Sequence, residues 1–228
     1  MYISGLQKLT LLDFPGRLAA TVFLGGCNFR CPFCHNASLV LSPSKCEKIS
    51  EEEFFSFLNS RKGKLGGVCI TGGEPTLYPD LKEFIKKIKD AGFAVKLDTN
   101  GTNPDLLSSL ISERLVDYVA MDIKNSIERY EATVGTALDI EKVKKSVDIL
   151  LSGKVDYEFR TTVVKELHRI EDFVSVSNWI SGAKRYFLQT FEDSGDLIGS
   201  GFSSYSREET EDILNAILPS IPNAQIRS

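Results

Sequence analysis

The sequence predicts an α/β fold built on a parallel sheet, and three observations carry that expectation. Short β-branched runs alternate with longer amphipathic stretches along the chain. Several of these runs are apolar almost throughout, as strands buried on both faces are. Six strand–helix units recur, which requires parallel strands joined by right-handed crossovers. A flat doubly wound sheet and an open partial barrel both satisfy the pattern, six units being fewer than the eight of a closed barrel. In either arrangement a ligand sits at the carboxyl ends of the strands.

The six strands are expected at Leu18–Leu24, Val68–Thr71, Ala94–Thr99, Tyr118–Ile123, Tyr157–Val164 and Arg185–Phe191. Between them, Ser50 and Glu53 form a capping box ahead of Phe54, Phe55 and Leu58. Leu81, Phe84, Ile85 and Ile88 share a helical face that Ala91-Gly92 terminates. Asn103 caps a helix in which Pro104 takes the first position and Leu106, Leu107, Leu110 and Ile111 follow. Asp139 caps another with an apolar stripe of Ile140, Val143, Val147 and Leu150. Phe173, Val176 and Ile180 make a further stripe, and Ser206 with Glu209 opens a last helix that Pro219 ends.

The chain has 228 residues, 42% apolar and 25% charged, which excludes a disordered or fibrous protein. No linker or repeat divides it, so one domain is expected: an N-terminal extension over 1–17, a barrel core over 18–192, and a C-terminal loop and helix over 193–228. A net charge of −4 argues against general affinity for nucleic acid. No apolar run approaches the roughly 18 residues of a membrane span, and the start lacks the pattern of a signal peptide. A soluble, cytoplasmic protein is expected.

Five cysteines are present, three of them within Cys27-Asn-Phe-Arg-Cys31-Pro-Phe-Cys34 just after the first strand. An odd count without an export signal does not fit a disulfide framework, so tight clustering points to metal or iron–sulfur ligation. Structural zinc takes four ligands, commonly in C-x2-C pairs, and His35 is too close to Cys34 to join the same tetrahedron easily. Cys46 or Cys69 would have to supply a fourth thiolate at an unfamiliar spacing. Three thiolates on a four-iron cluster instead leave one iron open, as catalysis requires.

Four more motifs end strands. Thr71-Gly72-Gly73-Glu74-Pro75 reads by itself as a strand-to-helix turn. Leu97-Asp98-Thr99-Asn100-Gly101 combines turn chemistry with an acid placed to bind ribose hydroxyls. Met121-Asp122-Ile123-Lys124 and Arg160 read alone as strand-end charges.

Cys-x3-Cys-x2-Cys with an aromatic before the last Cys resembles the signature of the radical S-adenosylmethionine enzymes. Gly72-Gly73-Glu74-Pro75 is similar to the segment of that superfamily that holds the cofactor's amino group. The resemblance implies an open partial (β/α)6 TIM-like barrel of the radical SAM fold. It implies a 4Fe–4S cluster on Cys27, Cys31 and Cys34, with S-adenosylmethionine on its open iron and reductive cleavage to a 5′-deoxyadenosyl radical.

Asp98-Thr99-Asn100-Gly101, Asp122-x-Lys124 and Arg160 together resemble the activating enzymes of glycyl-radical enzymes. Asp13-Phe14-Pro15-Gly16-Arg17 and Cys34-His35-Asn36 extend the likeness. That resemblance implies that Asp98, Thr99, Arg160 and Gln189 position S-adenosylmethionine. Asp122 and Lys124 would receive the backbone of a partner's glycine-bearing loop, entering by a lateral opening. Asp98, Thr99 and Asp122 would also be able to hold a monovalent cation.

Within this group, the start from Met1 to Gly16 and the stretch Tyr186 to Phe191 look most like the longer activators of anaerobic ribonucleoside-triphosphate reductase. Pyruvate formate-lyase activators carry a His in the sixth-strand region, where this chain offers Gln189 and Phe191. The implied partners are a glycyl-radical enzyme, such as that reductase or a pyruvate formate-lyase, and flavodoxin or ferredoxin as electron donor. Competing readings are a deazaguanine synthase-like enzyme of a small molecule and a non-enzymatic iron–sulfur carrier. Cys69 is expected to be a buried strand residue, Cys46 incidental, Trp179 part of the core, and His168 a surface residue. Two spare cysteines are too few for a second four-iron cluster.

Overall fold

The structure is a computed structural model that describes residues 3–227, so Met1 and Tyr2 of the N-terminal motif lie outside the described residues. In chain order the elements are β1 (Gly5–Thr10), β2 (Ala19–Leu24), α1 (Ala37–Leu41), α2 (Glu51–Asn59), β3 (Gly67–Gly72), α3 (Leu81–Asp90), β4 (Ala94–Thr99) and α4 (Pro104–Ser112). There follow β5 (Tyr118–Asp122), α5 (Tyr130–Val134), α6 (Ile140–Leu151), β6 (Asp156–Val163), α7 (Ile170–Trp179), β7 (Tyr186–Thr190), α8 (Arg207–Ile217) and β8 (Ala224–Arg227).

One eight-stranded sheet runs in the order β1 to β8, with β1 antiparallel to β2 and every later pair parallel. The six strands expected from sequence are β2 to β7. The sheet exceeds that expectation by a strand at each edge, β1 and β8, drawn from the segments before residue 18 and after residue 192. Among the described residues the sheet's ends do not pair with each other, so the barrel is open between β1 and β8.

The helix signals hold where their chemistry is local. Ser50 and Glu53, and likewise Ser206 and Glu209, form reciprocal capping boxes. Asn103 accepts from Leu106 N, and Asp139 from Glu141 N. The helices cover the outer face of the sheet, where Val68, Ile70, Val95, Leu97 and Val119 are fully buried in one continuous apolar core. About 25 cal/mol for each Å² of apolar surface removed from water drives that packing.

The opposite face of each strand looks into the barrel, because strand side chains alternate. At its amino end the barrel is plugged: Phe14 packs with Ala19 and Tyr118, its ring 6.3 Å from that of Tyr118. Asp13 accepts a hydrogen bond from Thr21 Oγ1 at 2.5 Å. At the same end Glu158, 1% exposed, accepts from Arg227 Nη1 at 2.8 Å, Arg227 Nη2 at 3.1 Å and Tyr118 Oη at 2.8 Å. This ties β8 to β6 and β5.

Two side chains differ from expectation. Trp179 is half-buried at the edge of the core, against Tyr130. His168, expected at the surface, is buried at 2% exposure. Its Nδ1 lies 3.1 Å from both Val164 N and Val164 O, and its Nε2 2.8 Å from Lys124 O. The ring thus braces the segment after β5 against the segment after β6.

Candidate active site

At the carboxyl ends of the strands a cavity of about 460 Å³ opens. Cys27, Cys31 and Cys34 line one side of it, and Gly72, Gly73, Asp98, Thr99, Asp122, Lys124, Arg160 and Gln189 line the rest. Of the site residues expected from sequence, Glu74 and Pro75 are absent from the lining and lie behind it.

The cysteine loop leaves β2 through Gly25-Gly26. Cys34 N donates to Cys31 O at 3.0 Å, and Arg30 N is anchored on Val134 O of α5 at 2.8 Å. Phe29 packs edge-on against Tyr130 and Phe33 against His168, so apolar contacts fix the loop. Phe29 N donates to Cys27 Sγ at 3.3 Å, and Asn100 Nδ2 lies 3.9 Å from the same sulfur. Burial pushes the Cys31 thiol up to about 12 and raises that of Cys27, even though the Lys124 ammonium acts the other way on both. Buried thiols of this kind ionise when a metal takes the proton's place. Among the described residues no three His, Cys, Asp or Glu side chains converge on one point where a single ion would sit. Three thiols spread around one cavity wall fit a cluster, whose ligands bind separate irons.

The loop after β3 meets this one backbone to backbone. Gly73 N donates to Leu24 O at 2.8 Å, and Glu74 N to Gly26 O at 2.9 Å. A Cβ on Gly73 would stand 1.9 Å from Gly26 O, so the approach excludes any side chain. Asn36 Nδ2 adds a bond to Gly72 O at 3.1 Å. Glu74 is fully buried, and its carboxylate accepts from Thr76 N, Thr76 Oγ1, Thr99 Oγ1 and Asn100 N at 2.5–3.0 Å. It joins the end of β3 to the end of β4 and leaves the cavity to Gly72 and Gly73. Burial raises this carboxyl while those four hydrogen bonds oppose the shift.

Across the floor of the cavity runs a row of alternating charge. Lys96 pairs with Asp98 Oδ1, and Arg160 Nη1 with Asp98 Oδ2 at 3.1 Å. Arg160 Nε bonds Asp122 Oδ1 at 2.9 Å, and Lys124 Nζ bonds Asp122 Oδ2 at 3.0 Å. Burial alone would raise the Asp122 carboxyl, but Arg160 and Lys124 hold it well below the usual carboxylate range. Burial is likewise outweighed at Asp98 by Arg160 and Lys96. Burial would lower the Lys124 ammonium, which Asp122 holds above its ordinary value.

Sequence reasoning missed Lys96 and gave no separate role to Asn36 and Asn100, although both stand in motifs it singled out. Lys96 had a usable signal, since it stands two residues before Asp98 and therefore on the same strand face. Asn36 and Asn100 reach their partners across the loops, which only the fold brings together.

A family model described as the Radical SAM superfamily matches residues 21–176. A Methanocaldococcus jannaschii protein assigned by name to the glycyl-radical enzyme activating enzymes is 35% identical over 83% of this chain and 80% of its own. A 7-carboxy-7-deazaguanine synthase of Methanopyrus kandleri is 28% identical over 69% of this chain and 71% of its own. Among solved structures, Streptococcus suis SuiB bound to its precursor peptide SuiA superposes with a TM-score of 0.73 at 12% identity. That match covers 91% of this chain and 48% of SuiB, and shows a shared fold.

Proposed function

The chain belongs to the Radical SAM superfamily and, within it, to the group of glycyl-radical enzyme activating enzymes, and from that premise we propose that it abstracts a glycine Cα hydrogen from a partner protein. The observation that carries this reading is one cavity whose lining holds three thiols, a backbone turn of two glycines and the Asp98–Arg160–Asp122–Lys124 row. When bound, the cluster and S-adenosylmethionine supply the electron transfer and the carbon radical that the protein itself lacks.

The chain's own residues bind and orient. Cys27, Cys31 and Cys34 would hold a 4Fe–4S cluster through three thiolates. Gly72 and Gly73 present backbone groups to the cofactor's amine, with Glu74 and Pro75 shaping their turn. Asp98, Thr99, Arg160 and Gln189 fix the remainder of the cofactor. Asp122 and Lys124 receive the backbone of the partner's glycine loop at the gap between β1 and β8. No general base is needed, because a hydrogen atom and not a proton is removed.

The partner most in keeping with the sequence is anaerobic ribonucleoside-triphosphate reductase, with flavodoxin or ferredoxin as electron donor. The resemblance also implies a monovalent cation beside Asp98 and Asp122, an expectation that the ion pairs already made there oppose. The chain works as one domain, its barrel core carrying the site, in a reducing cytoplasm suited to free thiols. No described helix is long and apolar enough to cross a membrane.

The test is anaerobic reconstitution. The wild type should bind about four irons, as a 4Fe–4S cluster requires, and Cys31→Ala should lose the cluster. Reduced holoenzyme should release 5′-deoxyadenosine and methionine and raise a glycyl-radical signal in the reductase. Tight zinc without sulfide would sink the reading. The likeness to a deazaguanine synthase supplies the competing outcome, namely turnover of a small molecule with no radical on any protein partner.

A further inference from the structure

Lys96 is the residue of the charged row that the proposed function leaves unused. Its side chain is 2% exposed, and its ammonium meets Asp98 Oδ1 and, at 3.8 Å, Cys69 Sγ. Asp98 lies on the same strand face, two residues along β4, and its other oxygen is taken by Arg160 at 3.1 Å. Both oxygens of Asp122 are likewise engaged, by Arg160 and Lys124. Two carboxylates thus face three fixed cations along this row.

We propose that Lys96 is the built-in counter-cation of Asp98, so that this chain binds S-adenosylmethionine without a monovalent metal ion at that carboxylate. The proposal rests on the radical SAM reading and replaces the cation expected from sequence with a side chain. A mobile ion would have to displace one of these cations, because both oxygens of Asp98 and both of Asp122 are already paired. A tethered ammonium also loses no translational freedom when the site forms, unlike an ion drawn from solution. Lys96 touches no reacting atom, since it lies beneath Asp98 and outside the cavity lining. It is a positioning residue.

The test uses anaerobically reconstituted holoenzyme in potassium, sodium or tetramethylammonium chloride at equal ionic strength. Two quantities are read: the dissociation constant for S-adenosylmethionine and the rate of 5′-deoxyadenosine release. The wild type should show the same affinity in all three salts, and Lys96→Arg should behave alike. Lys96→Met should bind the cofactor about tenfold more weakly in tetramethylammonium, the loss of one charged hydrogen bond, and potassium or sodium should restore most of it. A wild type that needs potassium or sodium for full affinity overturns the proposal, as does a Lys96→Met protein of undiminished affinity in tetramethylammonium. Should Lys96→Met fail to fold, the wild-type and Lys96→Arg arms decide the matter. A four-iron wild type that binds no cofactor in any salt overturns the functional reading itself, whereas salt-dependent binding overturns the role of Lys96 alone.

Discussion

Asp122 and Arg160 stand directly opposite each other on β5 and β6, and Arg160 Nε bonds Asp122 Oδ1 at 2.9 Å. The same guanidinium reaches Asp98 on β4 through Nη1. One side chain therefore bridges two carboxylates from two strands, and its planar fork allows both bonds at once.

Arg160→Leu should expose what that arrangement contributes. Both carboxylates would keep only a lysine each, inside a barrel where uncompensated charge is strongly destabilising. A loss of about 3 kcal/mol in unfolding free energy is expected, read from the denaturant midpoint. An unchanged midpoint would mean that water solvates the row as well as the guanidinium does.

Lys124→Ala addresses the partner. Losing a charged hydrogen bond to the incoming loop should suppress glycyl-radical formation about ten- to a hundredfold. Cofactor cleavage without partner should survive much better. Electron paramagnetic resonance counts the glycyl radical, and 5′-deoxyadenosine is measured in the same samples. Equal loss of both signals would assign Lys124 to cofactor binding.

Gly73→Ala should be far costlier than an alanine at Gly182. Both lack a side chain, but a Cβ at Gly182 meets nothing within 4 Å and bears only the strain of a φ of +85°, whereas at Gly73 it meets Gly26 O at 1.9 Å. About 1 kcal/mol is expected at Gly182, and more than about 3 kcal/mol at Gly73, with poor retention of iron after reconstitution. Matched melting temperatures for the two variants would refute the backbone seam.

The pair of Glu158 and Arg227 sets a pH dependence. Burial pushes the Glu158 carboxyl up, but the Arg227 hydrogen bonds and the nearby Arg160 bring it below its ordinary value. A group depressed in the folded state stabilises above its unfolded pKa, and that contribution is lost as pH falls through the folded value. Arg227→Met should therefore move the acid-unfolding midpoint to higher pH and lower stability at pH 7. Because a third of the guanidinium side chain is exposed, the smaller end of the range applies, about 1 kcal/mol. Circular dichroism followed across an acid titration measures it, and coincident curves would uncouple β8 from Glu158.

What was legible in the sequence follows from what kinds of interaction leave a local pattern. β2, β3 and β5 are buried almost throughout, and their apolar runs announce them, while β4, β6 and β7 read as strands from shorter apolar and β-branched stretches. β1 is an edge whose residues Lys8 and Leu9 face solvent, Leu9 at 56% exposure. β8 has only four residues, Ala-Gln-Ile-Arg, two past a proline. Neither carries a periodicity long enough to read. The capping boxes were readable because both partners lie within one turn.

The cysteines, glycines and strand-end acids of the site were readable as motifs, since each sits in a short contiguous stretch. Lys96 was overlooked although it shares a strand face with Asp98, because a lysine in an apolar strand ordinarily points to water. His168 failed for a related reason. Its partners are backbone groups of Lys124 and Val164, and no side-chain pattern records them.

Phe14 gives the barrel a stopper, seated among Ala19, Tyr118 and the start of β3, where a Cβ on Gly67 would touch its ring at 2.8 Å. A vessel closed at the bottom is filled and emptied through its top and through the gap between β1 and β8. Whatever enters first lies deepest, and a protein loop arriving afterwards corks everything beneath it. On the proposed function, the small molecule would load before the macromolecule docks. The stopper at one end thus imposes a queue at the other.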